Sequence, residues 1–393
     1  MTKKALIIGG GIAGPVTAMA LQRAGVEAEI HEAYDRGSEG VGAFLTLAGN
    51  GLEALRLLGL RDLVCDLGMD TPHMEMSNGR GKLLASFRQP GRTLKRSDLY
   101  RVLRDEAVRR GVRIHYGRRL DDASTTPDGV RAVFADGSTA EGDLLVGADG
   151  LRSRTRTIID PAAPRARHVG LLNTGGFARG VTVPGEPGTS YFIFGRRCFF
   201  GYLIHPDGEV WWFANPPSPR EPTREELAAI TPEQWRARLT RLFKDDTGPM
   251  LDIIRATGHI PPGWNTYDFP TVPTWSNERM VIVGDAAHAT SPSSGQGASM
   301  AIEDAVVLAK CLRDVPGLPG AFAAYERLRR DRVERIVAQG KRNGSGKAPG
   351  AAGAYVRDLV LPVIMRRLAG KNALGWMHDY RISWDDPVAA VSR

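Results

Sequence analysis

Apolar and polar positions along the chain follow two periods. Ala5 to Ile8 form a short apolar run, glycines follow at once, Val16 to Leu21 continue in helical fashion as far as Gly25, and Val26, Ala28 and Ile30 then alternate into Glu32. Strand, glycine turn, helix and strand in that order predict a βαβ unit opening a mostly parallel sheet. Helical spacing predicts a helix over Leu52–Leu60, and the polar, glycine-rich stretch Ser77–Gly91 predicts a hairpin away from the main sheet. Ser97 reads as the N-cap of a helix with Leu99, Val102, Leu103 and Ala107 inward and Gly111 past its end. Short strands are expected at Val112–Tyr116, Val130–Phe134 and Asp143–Val146.

From Gly170 to Phe213 the period becomes strand-like and dense in aromatics, which predicts an antiparallel sheet in a second layer. A β-branched run returns at Met280–Val283, followed by glycines and a helix with Ile302, Val306, Ala309 and Leu312 on one face. Gly340–Ala354 reads as a loop, and the last forty residues as a helical segment ending in Trp376, Tyr380 and Trp384, packed on the body as a lid. The fold class is therefore α/β: a Rossmann-like dinucleotide-binding domain with an antiparallel β-sheet layer and a C-terminal helical segment. The boundaries expected are 1–72, 96–168 and 270–342 for the first, 73–95 and 169–269 for the second, and 343–393 for the third.

Composition narrows the function. A chain of 393 residues holds about two or three domains, so a small stapled module is excluded. The net charge of +8 is scattered, and the run Arg327–Arg335 is interrupted by Glu326, Asp331 and Glu334, as on a solvated helix face; no nucleic-acid partner is expected. Three distant cysteines, Cys65, Cys198 and Cys311, encode neither a disulfide framework nor a metal cluster and fit the cytoplasm. The N-terminal apolar stretch is too broken by glycine for a signal peptide, and no window is long enough for a membrane span. Glycine is the outlier, 46 of the 393 residues.

Several of those glycines lie where chemistry is expected. Gly9, Gly11, Ala13 and Gly14 sit between strand and helix, with Glu32 at the end of the next strand. Gly9 permits the turn, Gly11 lets a pyrophosphate approach the backbone, and Gly14 lets helix and strand pack; the helix N-terminus then holds the phosphates and Glu32 a ribose. This motif alone leaves NAD(P) and FAD open. Two later segments follow apolar strands: one from Gly147 to Arg156 with Asp149 and Gly150, and one from Gly284 and Asp285 through His288, Pro292, Gly295, Gln296 and Gly297 into a helix.

These three segments, in order and over residues 4 to about 330, resemble the single-component FAD-dependent aromatic hydroxylases, the family of para-hydroxybenzoate hydroxylase, salicylate hydroxylase and the tetracycline-inactivating monooxygenases. The resemblance implies FAD, with NAD(P)H as transient reductant and NADPH the expected form. It implies that O₂ is activated as a flavin C4a-hydroperoxide, which hydroxylates or epoxidises an aromatic or polycyclic small molecule. It also implies that Asp285 binds the ribityl chain, that Pro292–Gly297 runs along the flavin ring, that Asp149–Arg156 supports FAD and nicotinamide, and that Arg101 reaches the flavin or its phosphates.

Physical chemistry is consistent with those roles. A ribityl chain offers hydroxyls to a fixed carboxylate, and a helix starting near Gly297 points its positive end at reduced flavin. Asp285 could equally cap a helix, His288 could serve only the loop, and Arg101 could lie on a surface. Phe192, Phe200, Tyr202 and Trp212 are candidates for a substrate-pocket wall, or simply the core of their sheet. Arg179, Arg196 and Arg197 could pair with a substrate carboxylate or lie on the surface. No protein nucleophile, catalytic residue or metal is assigned. The absence of a second dinucleotide motif argues against disulfide reductases, and no Trp-x-Trp-x-Ile-Pro segment suggests a halogenase. A flavin dehydrogenase or oxidase without oxygen insertion, and a non-catalytic flavin-binding protein, remain alternatives, as do monomer and homodimer.

Overall fold

The structure, a computed structural model, describes residues 3–35, 43–345, 347, 356, 358–360, 362 and 374–388. At its centre is a five-stranded parallel sheet in the order β18-β12-β1-β2-β8: Met280–Ile282, Leu144–Gly147, Lys4–Ile8, Glu27–His31 and Arg113–His115. Its middle strands are covered on both faces and so read as unbroken apolar runs. Ala5, Ile7, Leu144 and Val146 pack under α1 (Ala13–Arg23) and α10 (Gly297–Asp314). Leu6, Ile8 and Leu145 meet a three-stranded sheet of β9 (Leu120–Thr125), β10 (Val130–Phe134) and β11 (Thr139–Gly142).

A second three-stranded sheet joins β3 (Phe44–Ala48), β7 (Gly91–Lys95) and β4 (Met69–Asp70), with α2 (Gly49–Leu57), α3 (Arg61–Cys65) and α4 (Arg96–Arg109) beside it. The aromatic layer is a seven-stranded sheet in the order β17-β13-β16-β15-β14-β5-β6: Trp264–Asp268, Arg167–Ala178, Val210–Asn215, Phe199–Ile204, Thr189–Phe194, His73–Asn78 and Leu83–Arg88. It is antiparallel except where β5, first strand of the expected hairpin, runs parallel to β14. One face is covered by α6 (Arg224–Ala228), α7 (Pro232–Phe243) and α8 (Met250–Ala256). The first two start at capping boxes, Thr223 with Glu226 and Thr231 with Gln234.

Three local expectations are corrected. Lys95, in extended conformation and without a side-chain cap, precedes α4, so the helix begins one residue before Ser97. The helix α10 is buried all round from Ser299 to Leu312, because α1, α2 and α11 (Leu318–Ser345) surround it. The loop expected from Gly340 is helix as far as Ser345; a side chain at Gly340 would meet Thr290 Oγ1 at 2.9 Å and Ser294 Cβ at 3.0 Å, so glycine lets α11 lie on the 290–294 turn. Of the remaining loop only Lys347 is among the described residues. The C-terminal segment docks through Arg332 and Lys310, which donate to the carbonyls of Trp376, Met377 and Trp384. No described helix is long and apolar enough to cross a membrane.

Charges buried in α10 are paired. Arg329 of α11, fully buried, reaches Glu303 Oε2 at 2.6 Å and Asp304 Oδ1 at 2.7 Å. Asp304 Oδ2 accepts the Gly284 amide at 2.9 Å and lies 2.5 Å from His288 Nε2, and its carboxyl is held well below the usual carboxylate range: burial alone would raise it, but the charges of His288 and Arg329 outweigh that. Removing one partner of a buried pair leaves the other charge uncompensated. Arg329→Met is therefore expected to cost about 3 kcal/mol of folding stability, measured as a lower denaturant midpoint; an unchanged midpoint would refute the assignment of Arg329 as the lock between α10 and α11.

Candidate active site

The three glycine segments converge at the carboxyl ends of β1, β12 and β18. Gly9 has φ +105°, and a Cβ there would sit 2.4 Å from the Ala148 carbonyl; one on Gly14 would sit 2.0 Å from the Gly9 carbonyl. Both must be glycine for strand and helix to approach this closely. A side chain at Gly11 would meet only the Tyr100 ring, at 3.4 Å, so that amide stands at an open edge. Ala13 opens α1, whose first turn has no acid and no side-chain cap, leaving its amides free for an anion. Glu32 accepts from the Gly10 amide at 2.6 Å and the Tyr34 amide at 3.0 Å, which fixes it at the lip of the loop.

Asp149 is engaged with its own loop. Its carboxylate accepts from Ser153 Oγ at 2.5 Å and from the Thr155 amide and hydroxyl at 3.0 Å each, and Gly150 turns with φ +74°. Ser153 caps α5 (Arg154–Ile159). Arg156, buried with its guanidinium 4.5 Å from the Phe269 ring, donates to the Ala286 carbonyl at 2.9 Å and so ties this loop to the Asp285 turn.

Asp285 opens α9 (Asp285–His288) behind Gly284. The residue is exposed to solvent, although its neighbours in the turn are buried. Protein around it raises its pKa by desolvation, an effect His288 and Arg96 oppose. The Gly297 backbone at the start of α10 is adjacent, since a Cβ there would lie 4.0 Å from Asp285 Oδ1. Among the described residues no protein donor hydrogen-bonds Asp285, although its neighbours Asp149, Glu32 and Asp304 are all engaged. An unengaged carboxylate at a helix N-terminus suits a ligand's hydroxyls rather than a cap.

Pro292 opens a short 3₁₀ turn, Pro292–Ser294, and Gly295 continues it in the left-handed region at φ +64°. Both are exposed. The Gln296 side chain, in contrast, turns inward: Oε1 accepts from Asn50 at 2.8 Å, and Nε2 lies 3.2 Å from His378 Nδ1. Gln296 can therefore present only backbone to a ligand. His288, buried against Trp275 and bound to Asp304, is a loop support.

Arg101 is exposed on α4 and pairs with Asp98 at 3.0 Å. Arg96 and Tyr100, which the sequence reading passed over, take the inward side: Arg96 donates to the Tyr100 hydroxyl at 2.8 Å, and its charge acts on Asp285. Helical spacing was the available signal, since the two lie four residues apart on one face.

The aromatic candidates separate by face. Phe200 and Trp212 stack at 5.3 Å and are fully buried; with Tyr202 they pack against Trp235, Leu239, Phe243 and Ile253 beneath α7 and α8. These three form the core of their layer and are corrected as pocket residues. Phe192 alone of the four lies on the opposite face, with Phe199 and Phe213. That face is directed towards β3, where Phe44 lies 5.6 Å from Trp211 and 6.0 Å from Phe213. Direct pairing of Gly201 with Phe213, and of Phe199 with Asn215, sets this parity. Arg179 and Arg197 pair with Glu209 and Asp245 on exposed ground, and Arg196 is likewise exposed.

Comparison with known proteins agrees with this arrangement. The FAD binding domain family model matches residues 2–340. The FAD-dependent urate hydroxylase of Klebsiella oxytoca is 31% identical over 356 residues, spanning 86% of this chain and 89% of the relative. The 3-amino-4-hydroxybenzoate 2-monooxygenase of Streptomyces platensis is 32% identical, over 92% of each chain. In three dimensions the Klebsiella pneumoniae HpxO complexed with FAD and uric acid superposes with a TM-score of 0.81 at 25% identity, covering 94% of this chain and 96% of that one. The chain belongs to the FAD binding domain family, and within it to the FAD-dependent monooxygenases.

Proposed function

We propose that the protein uses NAD(P)H, with NADPH the expected form, and O₂ to hydroxylate an aromatic small molecule in the cleft between the glycine loops and the Phe192–Phe213 face of the aromatic sheet. The observation that carries this reading is the unengaged Asp285 beside the N-terminus of α10, with the open Gly11 edge on one side and an aromatic wall beyond.

In this reading the free amides of α1 and the Gly11 backbone hold the pyrophosphate, Glu32 a ribose and Asp285 the ribityl hydroxyls. Bound FAD supplies the redox and oxygen chemistry. The protein's own residues orient and insulate. The start of α10, which has no acid in its first turn, presents partial positive charge to an electron-rich ring. Phe192 and Phe213, half-buried and backed by the buried Phe199, give a flat substrate an apolar surface and keep water from it. Three free cysteines fit a cytoplasmic setting.

Replacing Asp285 by Ala removes charge-assisted hydrogen bonds worth about 1.5–3 kcal/mol each, so FAD affinity is expected to fall on the order of tenfold or more. Fluorescence titration of the apoprotein measures it; wild-type affinity in the variant would remove Asp285 from the site. Labelled O₂ tests the reaction. One labelled oxygen atom in an aromatic product is expected, whereas NAD(P)H oxidation with an unlabelled, dehydrogenated product would establish the dehydrogenase alternative. No substrate-stimulated NAD(P)H oxidation across an aromatic panel would favour the non-catalytic one.

A further inference from the structure

On the pocket side of the aromatic sheet one basic group stands apart. Lys347 follows the end of α11, where Asn343 donates to the Ser293 carbonyl at 3.1 Å and a side chain at Gly344 would meet Ser293 Oγ at 3.4 Å. From there Lys347 crosses to the sheet. Its amine donates to Asn215 Oδ1 at 2.6 Å and lies 4.1 Å from the centre of the Phe199 ring and 5.6 Å from that of Phe213. Asn215 is itself held in orientation, donating to the Leu172 carbonyl at 3.3 Å and Asn173 Oδ1 at 3.1 Å. The end of α11 thus rests on the turn assigned to the flavin ring, and three residues beyond Gly344 the amine of Lys347 meets the aromatic wall assigned to the substrate.

Lys347 is buried, 7% exposed, and no carboxylate pairs with it among the described residues. Among the described residues the other buried cations, Arg156, Arg329 and Lys310, are bound by carbonyls or carboxylates. Burial lowers its pKa to about 7, with only the Cys198 thiol opposing. That thiol is raised by burial; besides Lys347, Arg238 and Asp246 are the charges acting on it. An ammonium offers three donors, and Asn215 takes one.

We propose that Lys347 is the specificity-determining residue of this enzyme, its amine pairing with an acidic oxygen on the aromatic substrate, either a carboxylate or a phenolic oxygen. Phe199 and Phe213 serve both the ring and the cation. With a carboxylate the amine must be protonated before binding. With a phenol the neutral amine takes the hydroxyl proton, giving an ammonium–phenolate pair with no net proton change and an electron-rich ring. The inference rests on the monooxygenase reading above.

The test uses the full-length, FAD-loaded protein, wild type and the variants Lys347→Met and Lys347→Arg, with ligand Kd read from perturbation of the flavin absorbance. Probes are hydroxybenzoates against their amides, and phenols against their methyl ethers. In one pair or the other, wild type is expected to prefer the acidic member on the order of tenfold. Lys347→Met should erase that ratio while retaining FAD, and Lys347→Arg should keep a carboxylate preference. A carboxylate's affinity should fall as pH rises through about 7 in wild type and stay level in Lys347→Arg, whose guanidinium remains charged; a phenol's should instead climb as pH rises to about 7, because an amine already protonated must give up that proton for the pair to form, and level off above it. A preference that survives Lys347→Met, or equal affinities in both wild-type pairs, overturns the inference. If labelled oxygen still enters a neutral aromatic product, the monooxygenase reading stands without it. If no aromatic accepts label, that reading fails and takes this inference with it.

Discussion

The guanidinium of Arg329, buried between two consecutive carboxylates, is the contact on which the site's geometry depends. Glu303 and Asp304 lie side by side on a helix surrounded by other elements, and Arg329 is the cation they share, Arg332 completing the pairing of Glu303 and His288 that of Asp304. Their other oxygens carry the consequence outward. Asp304 receives the Gly284 amide and His288, which sets where the chain turns into Asp285. Glu303 receives Asn50 and Arg332; Asn50 holds Gln296, and Arg332 holds the carbonyls of Trp376 and Met377. One buried network thus aligns the Asp285 turn, the start of α10 and the C-terminal segment. Such pairs add little net stability over apolar packing; their value here is that a carboxylate network admits few alternative arrangements.

Around that network the chain separates supporting polar groups from available ones. Asp149, His288 and Gln296 are consumed by internal bonds, whereas Asp285, the Gly11 edge and the first amides of α1 are open. The aromatic layer does the same with its faces. Residues of one parity, Phe200, Tyr202 and Trp212, fill the core beneath α7 and α8, and of the other parity Phe192 and Phe213, packed on the buried Phe199, remain partly exposed. Gly201 makes room on the open face, since a side chain there would meet the Phe213 ring at 2.4 Å.

Much of this was legible in the sequence. The βαβ unit, the glycine motif with its acid, and the strand–Asp turns at 149 and 285 are local patterns whose spacing follows from backbone geometry. The helix face of Arg96 and Tyr100 was legible but went unread. The parity of the aromatic strands was not, because register depends on pairing between distant segments and a one-residue shift exchanges the faces. The clue lay in the two capping boxes at Thr223 and Thr231, which mark helices that must cover one face of that sheet. The role of Lys347 could not be read at all, since a glycine-rich stretch gives no sign that its lysine crosses to a sheet.

The central claim is that FAD and an aromatic ligand meet between the Asp285 turn and the Phe192–Phe213 face. A crystal structure of the FAD-loaded protein with a bound bromophenol tests it most directly, because anomalous scattering places the ring without ambiguity. The account predicts the ribityl chain on Asp285 and the bromine signal within contact of Phe199 and Phe213. A ribityl chain elsewhere, or a ring seated under α7 and α8 beside Trp212, would contradict it.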